Sequence, residues 1–323
     1  MLQGFWKQLE RPIFALAPMA NVTDVAFRRL IAHYGKPDVM WTEFVSCDGL
    51  CSKGRESLLT DLWFTDAERP IVAQFFGSDP ASFYTCALLA QELGFDGIDI
   101  NMGCPDKSVE KQGAGAALIR NPLRAKEIIK ETKRGAGPLP VSVKTRIGYT
   151  KDTLEEWMKH LLDTEVSAIT VHARTRKEMS LVPAHWEAVG RAADIARECD
   201  SSSERTLILG NGDVVDLEDA KKKAEEYHVD GIMIGRGIFG NPWLFSERSP
   251  RNISLEERVK VMYEHTKLFE DLFKGKKHFD IMKKHYKAYV SGFDGAKELR
   301  IELMATHTSE DVARILKEKG YSL

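Results

Sequence analysis

The sequence predicts an α/β fold, a (β/α)8 TIM barrel with a C-terminal α-helical bundle domain. Short β-rich runs alternate with amphipathic stretches eight times in about 240 residues, the arithmetic of a (β/α)8 barrel. The turn after the first run reads Ala17-Pro18-Met19 and lacks the GxGxxG of a doubly wound nucleotide-binding sheet. From Ser254 onward only helical patterns follow. The expected domains are a catalytic barrel over 1–245 and a helical domain over 254–323.

The expected strands are IFALAP (13–18), VMWTEFV (39–45), IVAQFF (71–76), GIDINM (97–102), VSVKTR (141–146), AITVHA (168–173), TLILGNG (206–212) and GIMIG (231–235). Helices are expected from Asp24 to Tyr34, from Asp79-Pro80 onward, and over Pro122–Lys133, Thr153–Leu162, Ala184–Arg197 and Leu217–Tyr227. SSSER (201–205) reads as a surface loop. The bundle is expected as Leu255–Phe273, Phe279–Tyr289, Ala296–Met304 and Ser309–Lys319. Ser254 and Glu257 make a capping box for the first of these, and SGFDG is a turn signal between the second and third.

Of the 323 residues, 43% are hydrophobic and 29% charged, ordinary for a folded domain and unlike a disordered chain. No apolar run approaches the roughly 18 residues a membrane span needs, and MLQGFWKQLERPIF has no signal-peptide core. A cytoplasmic protein is expected, with no membrane partner. The five cysteines, Cys47, Cys51, Cys86, Cys104 and Cys199, are odd in number and contain no CxxC, so neither a disulfide framework nor a metal site is expected.

In such a barrel the chemistry lies at the carboxyl ends of the strands. Glycine turns after strands seven and eight, at Gly212 and Gly235, with Arg236 beside them, suit a phosphate; the plainer reading is that these glycines only let the chain turn. Lys144 alternates with Val141 and Val143 toward the mouth, where its charge could stabilise an anionic ring such as a reduced flavin. His172 stands on the neighbouring strand, and Gln74 can donate and accept at a ring edge. Cys104, in Asn-Met-Gly-Cys-Pro, is mostly protonated at neutral pH and can act as a general acid or a nucleophile. Taken alone, it could equally be an inert thiol.

The net charge of −2 is unevenly spread. Residues 274–300 carry eight Lys+Arg against three acids, Asp280, Asp294 and Glu298. If that helix is continuous, Lys276, Lys283 and Lys287 share a face. Lys283, Lys284 and Lys287 are candidate RNA phosphate contacts, whereas Tyr286, Tyr289 and Phe293 read as bundle core.

Together these segments resemble the tRNA-dihydrouridine synthase family. The resemblance is carried by APMANVTDVAFRRL, WTEFVSCDGL, AQFFGSDP, GIDINMGCPDKSVEKQGAGAALIRNP, VKTRIG, VHARTR, GNGDV, IMIGRGIFGNPWLF and MKKHYKAYVSGFDGAKELR. It covers nearly the whole chain, and NMGCP followed by GAGAAL is its most specific part. It implies bound FMN, NADPH or NADH as reductant, and a uridine of tRNA as substrate, reduced to 5,6-dihydrouridine. The implied flavin contacts are Pro18, Met19, Gln74, Lys144, His172, Asn211, Gly212, Asp213, Gly235 and Arg236. The implied catalytic acid is Cys104, and Asn101, Arg174 and Arg176 match positions near the uridine or RNA backbone.

Two other readings compete. One is an FMN barrel acting on a free pyrimidine, of the dihydroorotate or dihydropyrimidine dehydrogenase kind, which would need no basic helical appendage. The other is a non-catalytic tRNA-binding protein, against which the set Cys104, Lys144 and His172 argues. A monomer is expected.

Overall fold

The structure, a computed structural model, describes residues 3–246, 248 and 252–323. Its barrel elements are, in chain order, β1 (Ile13–Leu16), α1 (Val25–Tyr34), β2 (Met40–Ser46), α2 (Cys47–Leu50), α3 (Arg55–Leu58), β3 (Ile71–Phe76), α4 (Pro80–Glu92), β4 (Gly97–Met102), α5 (Lys107–Lys111), α6 (Pro122–Ala136), β5 (Val141–Arg146), α7 (Leu154–Leu162), β6 (Ala168–His172), α8 (Trp186–Cys199), β7 (Leu207–Asn211), α9 (Leu217–Glu226) and β8 (Gly231–Ile234). The C-terminal helices are α10 (Leu255–Phe273), α11 (Ile281–Tyr289), α12 (Ala296–Met304) and α13 (Ser309–Glu318).

All eight strands are parallel in the order β1-β8-β7-β6-β5-β4-β3-β2. A bridge between Ala15 and Val39 joins β1 to β2 and closes the barrel. The chain signals helix starts locally: Asp24, Asp79, Asn121 and Asp216 each accept a backbone N–H at an N-terminus, satisfying donors that would otherwise be orphaned.

Strand alternation sorts the barrel interior by height. Low in the barrel the inward residues are apolar, among them Ile13, Ala15, Trp41, Val72 and Leu207, and Trp6 from a short N-terminal 3-10 turn packs against them. Higher up they turn polar and bond to one another, as burial favours. Gln74 Nε2 donates to Asp99 (2.6 Å), Ser142 Oγ donates to Asp99 (2.5 Å), and Asn101 Nδ2 donates to Gln74 Oε1 (3.0 Å). Burial pushes the Asp99 carboxyl up to about 6. This polar layer is the floor of the mouth.

Two expectations are corrected. Arg205, placed in a surface loop, is 8% exposed because its guanidinium forks onto Asp230 at 2.9 Å through both nitrogens. Lys276 lies in the turn before α11, not on its helical face, because the chain breaks at Lys274 and Gly275, both at positive φ; its ammonium sits 4.8 Å from the Trp63 ring centroid. After β2, where the sequence reading names no helix, the chain makes the single turns α2 and α3 and two short 3-10 helices, Leu59–Leu62 and Asp66–Glu68.

The C-terminal helices pack on the α1 side of the barrel. Phe27 of α1 stacks on His265 (5.1 Å) and lies 4.7 Å from His285, and Tyr34 donates to Glu264 (2.6 Å). Tyr286 and Tyr289 are buried, as their spacing predicted. Nearer the mouth, Lys277 reaches Glu43 and Asp61 on the β2 side.

Candidate active site

The parallel register gathers the mouth residues into a ring. Asn101 pairs with Lys144, Arg146 with His172, and His172 with Asn211. Above the polar floor lies a cavity of about 250 Å³. Of the sequence-predicted residues, Pro18, Met19, Asn101, Cys104, Lys144, His172, Asn211, Gly212, Asp213, Gly235 and Arg236 line it.

Lys144 Nζ donates to Asn211 Oδ1 (3.0 Å), and Asn211 Nδ2 donates to the Met233 carbonyl (2.8 Å). The ammonium is thereby held between β5 and β7. Burial, followed by repulsion from Arg146, pushes Lys144 down to about 8. Burial and the cations Lys144 and Arg146 hold His172 well below the usual imidazole range, so the ring is neutral. Its Nε2 lies 3.4 Å from Arg174 Nη1. A guanidinium can only donate, which leaves the ring proton on Nδ1.

Cys104 is seated by its own loop. Asn101 Oδ1 accepts from the Gly103 N–H (3.1 Å) and the Cys104 N–H (2.9 Å), and the Ala116 N–H donates to the Cys104 carbonyl (3.0 Å). Burial raises the thiol above its ordinary value, so it keeps its proton at neutral pH.

Asp213 sits between two arginines, accepting from Arg174 on one oxygen and from Arg236 (2.8 Å) on the other. Gly212 (φ +136) and Asp213 (φ +48) carry the chain through a turn that ordinary side chains resist. A Cβ at Gly212 would lie 3.1 Å from that of Ala184.

Four of the predicted residues stand outside the cavity lining and are engaged by other protein groups. Gln74 does not line the cavity: it is fully buried in the floor, its amide engaged by Asp99 and Asn101. Arg174 is 2% exposed and donates to the Val182 carbonyl (2.6 Å) as well as to Asp213, so its guanidinium is turned inward. Arg176 forks onto Glu110 of α5, with Nε at 2.7 Å. Lys283 is held by Asp280 (2.5 Å), whereas Lys284 and Lys287 are exposed.

Sequence reasoning gave no role to two residues that the structure brings to the site. Arg146 lines the cavity and donates to the Gly103 carbonyl (2.7 Å) and to the Thr175 and Met179 carbonyls (3.1 and 3.2 Å). Its spacing of two from Lys144 was the available signal. Gly115 packs against Cys104 from a segment 11 residues downstream, and only the motif GAGAAL hinted at it.

The cavity suits a flat anionic group. A Cβ at Gly235 would point at Ala17 and Met19, 3.6 and 3.8 Å away, so glycine there leaves cavity wall open. Lys144 and Arg236 supply positive charge, and Asn101 and Asn211 supply amides.

Fold and mouth together define a class, the (β/α)8 barrels with a polar cavity at the carboxyl ends of their strands. Among solved structures, a 2-naphthoyl-CoA reductase complex matches with a TM-score of 0.55 at 12% identity, over 72% of this chain and 49% of that one. A histamine dehydrogenase from Rhizobium sp. 4-9 matches with a TM-score of 0.53 at 13% identity, over 79% and 49%. These likenesses concern the fold. The chain belongs to the dihydrouridine synthase family, whose model matches residues 15–320. It is 42% identical to the probable tRNA-dihydrouridine synthase 2 of Bacillus subtilis over 98% of this chain and 97% of that protein. It is 41% identical to a probable tRNA-dihydrouridine synthase of Staphylococcus aureus, over 98% and 96%.

Proposed function

We propose that this protein is a tRNA-dihydrouridine synthase that uses FMN and a nicotinamide reductant, NADPH or NADH, in the cytoplasm. It reduces the C5–C6 bond of a uridine in tRNA, with the barrel as catalytic domain (1–245) and the helical domain (254–323) as a tRNA-binding platform.

FMN, when bound, supplies the hydride that reaches C6 of uracil. The residues of this chain do the rest. Arg236 and the turns at Gly212 and Gly235 take the phosphate end, while Pro18, Met19 and Asn211 wall the ring. The carboxylate of Asp213 repels an anion, so its part is to hold Arg174 and Arg236. Lys144 places a positive charge beside the ring, and neutral His172 offers an Nδ1–H. Gln74 acts from the floor by fixing Asn101, which in turn fixes the Cys104 loop. Cys104 gives its proton to C5.

The observation that carries this reading is that the Cys104 thiol and the buried Lys144 side chain line one cavity at the barrel mouth. Its test is Cys104→Ala: the variant binds FMN and accepts electrons from NADPH but forms dihydrouridine about 10²–10⁴-fold more slowly. Undiminished dihydrouridine formation removes Cys104 from the chemistry.

A further inference from the structure

Leu181 is 84% exposed, the barest large apolar side chain among the described residues. It stands at the tip of the loop 173–185 that joins β6 to α8, on the rim of the mouth. Exposed leucines on loose loops are common and mean little. This loop is braced from inside the site. Arg146 donates to the Thr175 and Met179 carbonyls, the latter two residues short of the tip, and Arg174 donates to the Val182 carbonyl just beyond it (2.6 Å). Asp213 accepts from the Ala184 N–H (3.0 Å). The Arg146 guanidinium also holds the Gly103 carbonyl (2.7 Å), next to Cys104. One side chain is thus bonded both to the loop that carries Leu181 and to the residue preceding Cys104.

A uridine inside folded RNA reaches a flat cofactor only by leaving its stack, which costs a few kcal/mol. RNA-bending and base-extruding proteins commonly fill such a gap with an apolar wedge. We propose that Leu181 is that wedge, entering the base stack of the folded RNA beside the departing uridine. The inference rests on the tRNA reading above and adds the residue that opens the stack. The tip's surroundings favour an RNA occupant: Lys177 on the loop and Lys107 and Lys111 on α5 are all exposed cations.

The test compares wild type, Leu181→Ala and Leu181→Met, each loaded with FMN, on bulk tRNA from cells lacking dihydrouridine. Three quantities are read: flavin reduction by NADPH, tRNA affinity, and single-turnover dihydrouridine formation at saturating tRNA. Leu181→Ala should lower the saturating rate at least about tenfold, equivalent to ~1.4 kcal/mol of barrel-side help in unstacking. Leu181→Met should recover most of it, and flavin reduction should stay at the wild-type rate. A saturating rate unchanged in Leu181→Ala overturns the proposal. So does a loss confined to affinity, which would put Leu181 on the docking rim rather than in the stack. If wild type forms no dihydrouridine at all, the tRNA reading falls first and this inference with it.

Discussion

Gly115 lies directly against Cys104: a Cβ at Gly115 would stand 2.8 Å from the Cys104 carbonyl oxygen and 3.2 Å from its Cβ. Gly115 also has φ +60, a conformation that costs other residues free energy. The two glycine-bearing halves of the NMGCP and GAGAAL segments are therefore one device. The second is the seat of the first. Gly115→Ala should destabilise the fold by about 1–3 kcal/mol and should slow dihydrouridine formation more than it weakens FMN binding. Thermal melts and flavin titration, set beside turnover, check both parts.

Lys144 carries a pH dependence with a definite sign. Its ammonium is pushed down to about 8, so it is charged below that pH and neutral above it. Its attraction for an anion is fully present below about 8 and is lost as pH rises through that value. FMN affinity of the wild type should therefore fall as pH climbs from about 7 to about 10. Lys144→Met should bind more weakly at pH 7 and show a flatter profile. Equal profiles for the two proteins would take Lys144 out of cofactor binding.

The His265–His285 pair is buried where the C-terminal helices meet α1, with ring centroids 4.5 Å apart and no hydrogen-bond partner for any ring nitrogen. Burial holds His265 well below the usual imidazole range and pushes His285 down to about 3. Both rings are neutral when folded and take protons readily when unfolded below about 6.5. Stability is thus retained above about 6.5 and lost as pH falls below it, by up to about 1.4 kcal/mol per pH unit for each ring. Denaturant midpoints measured from neutral to acidic pH should fall less steeply in His285→Phe than in wild type.

For RNA, exposure separates the lysines of α11. Lys284 and Lys287 are free to meet phosphates, while Lys283 is engaged by Asp280. Lys284/Lys287→Ala should flatten the log–log salt dependence of tRNA binding by roughly 0.7–0.9 for each phosphate that the variant no longer neutralises. Adding Lys283→Ala should change the slope little further. Identical slopes for wild type and the double variant would place the RNA elsewhere.

Much of this was legible in the chain, for identifiable reasons. Strands β3, β4 and β5 begin and end where their sequence patterns do, because apolar runs bounded by turn residues mark buried parallel strands. The strand-end rule then brought Cys104, Lys144, His172, Asn211 and Arg236 to one mouth. Depth was not legible. Gln74 and Asn101 are bonded inward residues of neighbouring strands, yet only Asn101 reaches the cavity, because Gln74 is in register with Asp99, two residues lower on β4. Nor did the pattern reveal partners. Arg174 and Arg176 read as residues near the uridine or RNA backbone, and nothing in the pattern pointed to Asp213 and Glu110, distant in sequence, as their partners.

The central claim is the reaction itself. Purified protein, loaded with FMN, is mixed with NADPH and tRNA lacking dihydrouridine, and nucleosides from the digested tRNA are separated by mass. The account predicts dihydrouridine, two mass units above uridine, accumulating with NADPH consumption in wild type and scarcely in Cys104→Ala. NADPH consumption driven by free orotate or uracil, with no dihydrouridine in the tRNA, would contradict it.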